Sequence, residues 1–152
     1  MDDLLLLTQR MPFPPNKGEK IRQFHILHHL RRTHRVHLGC LIDDPNDRQY
    51  MEECMALCAS SFIGLMDSPT AKLGYIRGLL SGEPLSFSYF WRQGLADWVA
   101  KLLREVRPRT AIVCSSNMAP YVLQSRDRPR RLVIDYTDVD SDKFREYAAT
   151  MQ

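Results

Sequence analysis

Leu4 to Thr8 is a continuous apolar run closed by turn-forming residues, the appearance of a strand buried on both faces. From Glu19 to Arg32 the spacing changes to helical, with Ile21, Phe24, Leu27 and Leu30 on one stripe. Val36 to Ile42 reads as a second strand, followed by an Asp43–Asp47 turn in which Asn46 or Asp47 is placed to cap a helix running to about Ala59. Phe62 to Met66 gives a third strand. Between Ser68 and Arg92 the pattern is irregular: glycines 74, 78 and 82 interrupt a helix-like stretch, and the aromatic LSFSYFW follows Pro84. Gly94 to Arg107 is helical again through Leu95, Trp98, Leu102 and Val106, and Pro108 stops it. Ala111 to Cys114 is a fourth strand, Met118 to Leu123 a short helix and Leu132 to Ile134 a fifth strand, with a last helix beginning near Ser141.

Strands separated by helices pair in parallel through right-handed crossovers. The expected fold class is therefore α/β, a Rossmann-like parallel sheet with helices on both faces, formed by residues 1–152 as a single domain. A composition of 44% hydrophobic and 26% charged residues suits one compact globular unit. The net charge of +3 is a mild excess of base and demands no polyanionic partner.

Two absences refine this picture. No run approaches the ~20 apolar residues of a membrane-spanning helix, and the start of the chain lacks the charge and longer apolar core of a signal peptide. A cytoplasmic location is expected, with peripheral contact at the inner membrane as an option. Cys40, Cys54, Cys58 and Cys114 lack paired ligand spacing, so buried free thiols are expected.

Chemistry is expected where strand ends meet helix starts. The first such connection, PFPPNKGEKIR, brings Gly18 to the start of a helix, where exposed amides favour an anion, with Lys17, Lys20 and Arg22 adding positive charge. Neither a GxGxxG nor a GxxxxGK[ST] pattern is present, so a phosphate-contacting loop and an ordinary turn with solvated lysines both remain open.

The segment LLTQRMPFPPNKGEKIRQFHILHHLRRTHRVHLGCLIDD, with SSNMAPYV and VIDYTDVDSDKFREYA further on, resembles the N-terminal lobe of family-four retaining glycosyltransferases of GT-B fold. The likeness is greatest to the sugar transferases associated with exosortase and PEP-CTERM systems. It implies transfer of a sugar from a nucleotide-sugar donor to an acceptor hydroxyl, sugar or lipid-linked, in cell-surface polysaccharide assembly. It also implies that the C-terminal nucleotide-sugar domain lies outside this chain, that the isolated lobe is inactive, and that neither metal nor cofactor is needed. By the same resemblance Gly18 and Lys17 bound the diphosphate side of the cleft. Lys17 stands where many members carry a first glycine. Ser116 and Asn117 fall on the fourth-strand loop, and Asp135 and Asp138 follow the fifth strand where many members carry a sugar-contacting histidine.

Each feature also has a plainer reading. Asp138 and Asp135 are placed to take an acceptor proton or hold sugar hydroxyls, whereas Asp140 and Asp142 suit helix capping. His25, His28 and His29 share a helix without a carboxylate in their patch, so surface histidines are expected rather than a metal site. The basic clusters LRRTHR and SRDRPRRL suit solvated loops first, phospholipid head groups second, and nucleic acid least. A lobe separated from its mate could self-associate through exposed apolar surface. The alternative function is a non-catalytic flavodoxin-like or regulatory module that binds a phosphorylated ligand without turnover.

Overall fold

β1 (Asp2–Thr8) forms the centre of a five-stranded sheet in the order β3-β2-β1-β4-β5, with every neighbouring pair parallel. The other strands are β2 (His34–Ile42), β3 (Ser60–Leu65), β4 (Thr110–Cys114) and β5 (Arg131–Asp135). The computed structural model describes residues 1–66 and 89–136. The readings made above for 68–88 and for the helix near Ser141 lie outside them.

Four leucines in a row make β1 the core of the molecule. Leu4 to Leu7 are all essentially inaccessible, and side chains alternate across a strand. Leu4 and Leu6 therefore join Val36, Leu38, Cys40 and Leu27 on one face, while Leu5 and Leu7 join Leu41, Leu95, Val99 and Val122 on the other. Each such side chain contributes about 1.5–3 kcal/mol by leaving water. Helices α1 (Gly18–Leu30) and α2 (Met51–Ala56) cover the first face. Helices α3 (Gln93–Glu105) and α4 (Pro120–Leu123) cover the second. The doubly wound α/β class expected from the alternating pattern is the observed one. Gly39 on β2 gives α3 its close approach: a methyl there would stand 2.6 Å from Leu7 Cδ2 and 2.9 Å from Leu95 Cδ1.

Three local expectations are corrected. The buried side of α1 is Lys20, Gln23 and Leu27, while Ile21 of the apolar stripe is exposed. A lysine can face the sheet because Asp47 meets it there, 2.8 Å away. The helix after β2 begins as a 3₁₀ turn, Pro45–Tyr50, and its cap is Asp44, whose side chain accepts from the Asn46 N–H; Asp47 is taken by Lys20. On α3, Val99 and Leu103 share the buried side with Leu95 and Leu102, and Val106 is exposed.

Candidate functional site at the carboxyl rim

β1 and β4 are adjacent, and Thr8 pairs with Cys114 at their carboxyl ends. From Thr8 the chain turns to α1 on one face, and from Cys114 it turns to α4 on the other. That divergence is the switch point of a doubly wound sheet, the position where such folds open a crevice. Lys17 and Gly18 lie on one bordering loop, and Ser116 and Asn117 on the other. Asp135 ends β5, one strand beyond β4 on the same rim. Asp138 lies outside the described residues.

Gly18 is the first residue of α1, and a Cβ built there meets nothing within 4 Å. Lys17, its N-cap, makes no side-chain cap bond. On the β4 side of the switch point Ser115 holds φ 97° and ψ 134°, a conformation that costs a non-glycine residue roughly 1–3 kcal/mol. It is retained by two contacts. Its N–H donates to the Asp135 carbonyl at 3.0 Å, and its hydroxyl accepts from the Asn117 N–H at 3.4 Å. Asn117 is buried beside this turn.

The cations expected to favour phosphate have other partners. Lys20 is sealed against Asp47. Arg22 pairs with Asp135, which ties the second turn of α1 to the end of β5. Arg10 sits between two acids, 2.7 Å from Asp43 and 3.0 Å from Glu19. Lys17 is the loosest of the group, 3.9 Å from Asp44 and half exposed. The expectation of surplus positive charge at this loop is thereby corrected: the acids of the β2 loop, with Glu19 and Asp135, neutralise it.

Sequence reasoning missed that network. Its signal was legible as Asp43, Asp44 and Asp47 behind the strand next to β1, since consecutive parallel strands bring their carboxyl-end loops together. Arg92 gave no comparable signal. It is buried and donates to the carbonyls of Leu65, Met66, Tyr89 and Trp91 at 2.7–3.1 Å, so it joins the end of β3 to the start of α3. Tyr121 completes the joint: it accepts from the Arg92 N–H at 2.7 Å, donates to the Phe90 carbonyl at 2.6 Å, and stacks on Trp91. Burial moves the Tyr121 phenol above its ordinary range, so it remains a donor.

At the opposite ends of the strands, His37 is buried and bridges three of them. Its ring nitrogens lie 2.8 Å from Asp3 Oδ1 and 2.7 Å from Ser60 Oγ. His37 is thus a strand-face residue with partners on both neighbouring strands.

No family, no curated protein and no solved structure matches this chain. What it shares with known proteins is the doubly wound architecture, and its chemistry has to be argued from the rim.

Proposed function

We propose that this chain is the acceptor-side lobe of a GT-B glycosyltransferase that moves a sugar from a nucleotide-sugar donor to an acceptor hydroxyl. The observation that supports the reading is the divergence of the β1 and β4 loops at the switch point, with Lys17 and Gly18 on the first loop and Ser116 and Asn117 on the second. The resemblance of the quoted segments supplies the reaction.

In this reading the acceptor oxygen attacks the anomeric carbon as the bond to the diphosphate breaks. The acceptor proton then needs a base, and the leaving group needs donors. Asp135 is the described carboxylate nearest that role, oriented by Arg22, with Asp138 beyond it. For the diphosphate, the engagement of Lys20, Arg22 and Arg10 moves the burden from side-chain charge to main-chain amides at the open Gly18 turn. Lys17 can leave Asp44 for a phosphate oxygen at little cost, because an exposed ion pair at 3.9 Å is weak. Ser116 and Asn117 supply hydroxyl and amide groups for sugar recognition. Cell-surface polysaccharide assembly as the setting rests on the resemblance alone.

Calorimetry of the protein against a panel of nucleotide sugars tests the reading. Binding that is weakened at least tenfold in Gly18→Val, with the melting temperature retained, supports it. Binding unchanged in both Gly18→Val and Asp135→Ala overturns the site.

A further inference from the structure

The modest net charge conceals a strongly polar molecule. Strands in parallel register start together, so the turn 31–35, the connection 104–109 and the connection 126–131 all emerge at the amino end of the sheet, the base opposite the rim. These three segments carry ten exposed arginines from stretches that lie up to a hundred positions apart. Four carboxylates accompany them, Asp2, Asp3, Glu105 and Asp127, and two of these are already engaged, Asp3 by His37 and Arg35 and Glu105 by Arg104. Among the described residues the excess of base is therefore gathered on one end.

Helix ends explain only part of it. The carboxyl ends of α1, α3 and α4 face the base, and cations there complement the helix dipole. Arg107 and Arg128 serve in that way, donating to the carbonyls of Arg104 and Leu123. Arg31, Arg32, Arg109, Arg126, Arg130 and Arg131 make no side-chain hydrogen bond or ion pair with a described residue. Holding them together unpaired costs self-repulsion that an anionic partner would relieve.

Two further residues identify the partner. Val106 and Leu123, at the ends of α3 and α4, are 39% and 41% exposed on this same end. Aliphatic side chains among arginines match the boundary between lipid head groups and acyl chains. The phosphates of a duplex would give these aliphatic side chains no apolar partner, and a single strand would instead call for aromatic platforms for base stacking. The exposed aromatics among the described residues, Tyr89 and Tyr136, sit toward the rim, beside the start of α3 and the end of β5. We infer that the arginine-rich base, with Val106 and Leu123 as apolar contacts, docks on an anionic phospholipid surface and turns the carboxyl rim away from it. The inference does not rest on the sugar-transfer reading.

Sedimentation of the protein with lipid vesicles tests this. Vesicles of phosphatidylcholine mixed with phosphatidylglycerol should carry the protein down, and vesicles of phosphatidylcholine alone should not. Raising salt should release it as the screening length shrinks. Arg126→Glu with Arg130→Glu should weaken binding at least about twenty-five-fold, since losing one surface arginine is equivalent to about fivefold and each glutamate adds repulsion. Val106→Asp should weaken it as well, whereas Arg48→Glu, outside the base, should leave it unchanged. Failure of the unmodified protein to bind anionic vesicles at low salt overturns the inference without any variant. Equal binding to both vesicle types overturns it too, as does capture of a DNA duplex that the same arginine changes abolish while vesicle binding is untouched.

Discussion

Lys20 Nζ lies 2.8 Å from Asp47 Oδ2, with both side chains sealed between α1 and the 3₁₀ turn after β2. A buried ion pair contributes little relative to an apolar pair of the same shape, but a half-removed one leaves an uncompensated charge. Asp47→Asn or Lys20→Met alone should therefore cost about 3–5 kcal/mol, while Lys20→Met with Asp47→Leu should recover most of the loss. Urea denaturation of the three variants checks this, and additive losses in the double variant would contradict it.

The ion pair of Arg22 with Asp135 belongs to a different regime, because Arg22 is about half exposed and Asp135 is reached by solvent in part. Asp135→Asn should lower stability by less than about 1 kcal/mol, and less still in high salt. A larger loss in thermal or urea unfolding would mean that the pair holds β5 in place.

Gly18 faces open space, so a side chain there has no steric penalty from the described residues. Gly18→Ala should leave the melting temperature unchanged or raise it slightly, since glycine is the poorer helix former by up to about 1 kcal/mol. A fall in melting temperature would show that the glycine is required by the fold and not by a ligand.

Arg92 is buried with no carboxylate partner among the described residues, its charge shared among four carbonyls. Arg92→Met removes those bonds together and should destabilise the protein by about 3–5 kcal/mol, consistent with hydrogen bonds to charged groups being the stronger class. Arg92→Lys should recover only part of this, because an ammonium lacks the planar fork. Arg92→Lys as stable as the unmodified protein would show that geometry is unimportant at this joint.

Burial pushes the Cys54 thiol up to about 12, with the neighbouring Cys58 adding to the shift, and burial pushes Cys58 and Cys114 up to about 11, from an ordinary 9.0. Above pH 9 the unfolded chain releases these protons and the folded one retains them. Stability should consequently be full below that pH and fall as pH rises from 9 toward 11–12. Iodoacetamide at pH 8 should label the folded protein far more slowly than the urea-unfolded one. A stability that stays flat across that alkaline range would contradict these shifts.

Much of the architecture was legible locally. Short continuous apolar runs and the 3.6-residue period located five strands and the longer helices, because a strand or helix is dictated by neighbours a few positions away. Gly18 and Asp135 could be assigned to one rim from parallel topology alone. Less legible was α1, where the apolar stripe through Ile21 suggested one buried side and the structure buries Lys20 and Gln23 instead. Gln23 is accommodated by donating to Glu19 at 3.0 Å, a contact hydropathy does not register.

The sequence by itself determined the alternation of strands and helices, and therefore which connections share the carboxyl rim. Only the tertiary structure decided what charge that rim carries. Arg10 meets Asp43 across 33 positions, Lys20 meets Asp47 across 27 and Arg22 meets Asp135 across 113. Coulomb energy depends on distance in space, so cations that look available along the chain are paired with acids in the fold, and arginines scattered along it become one surface.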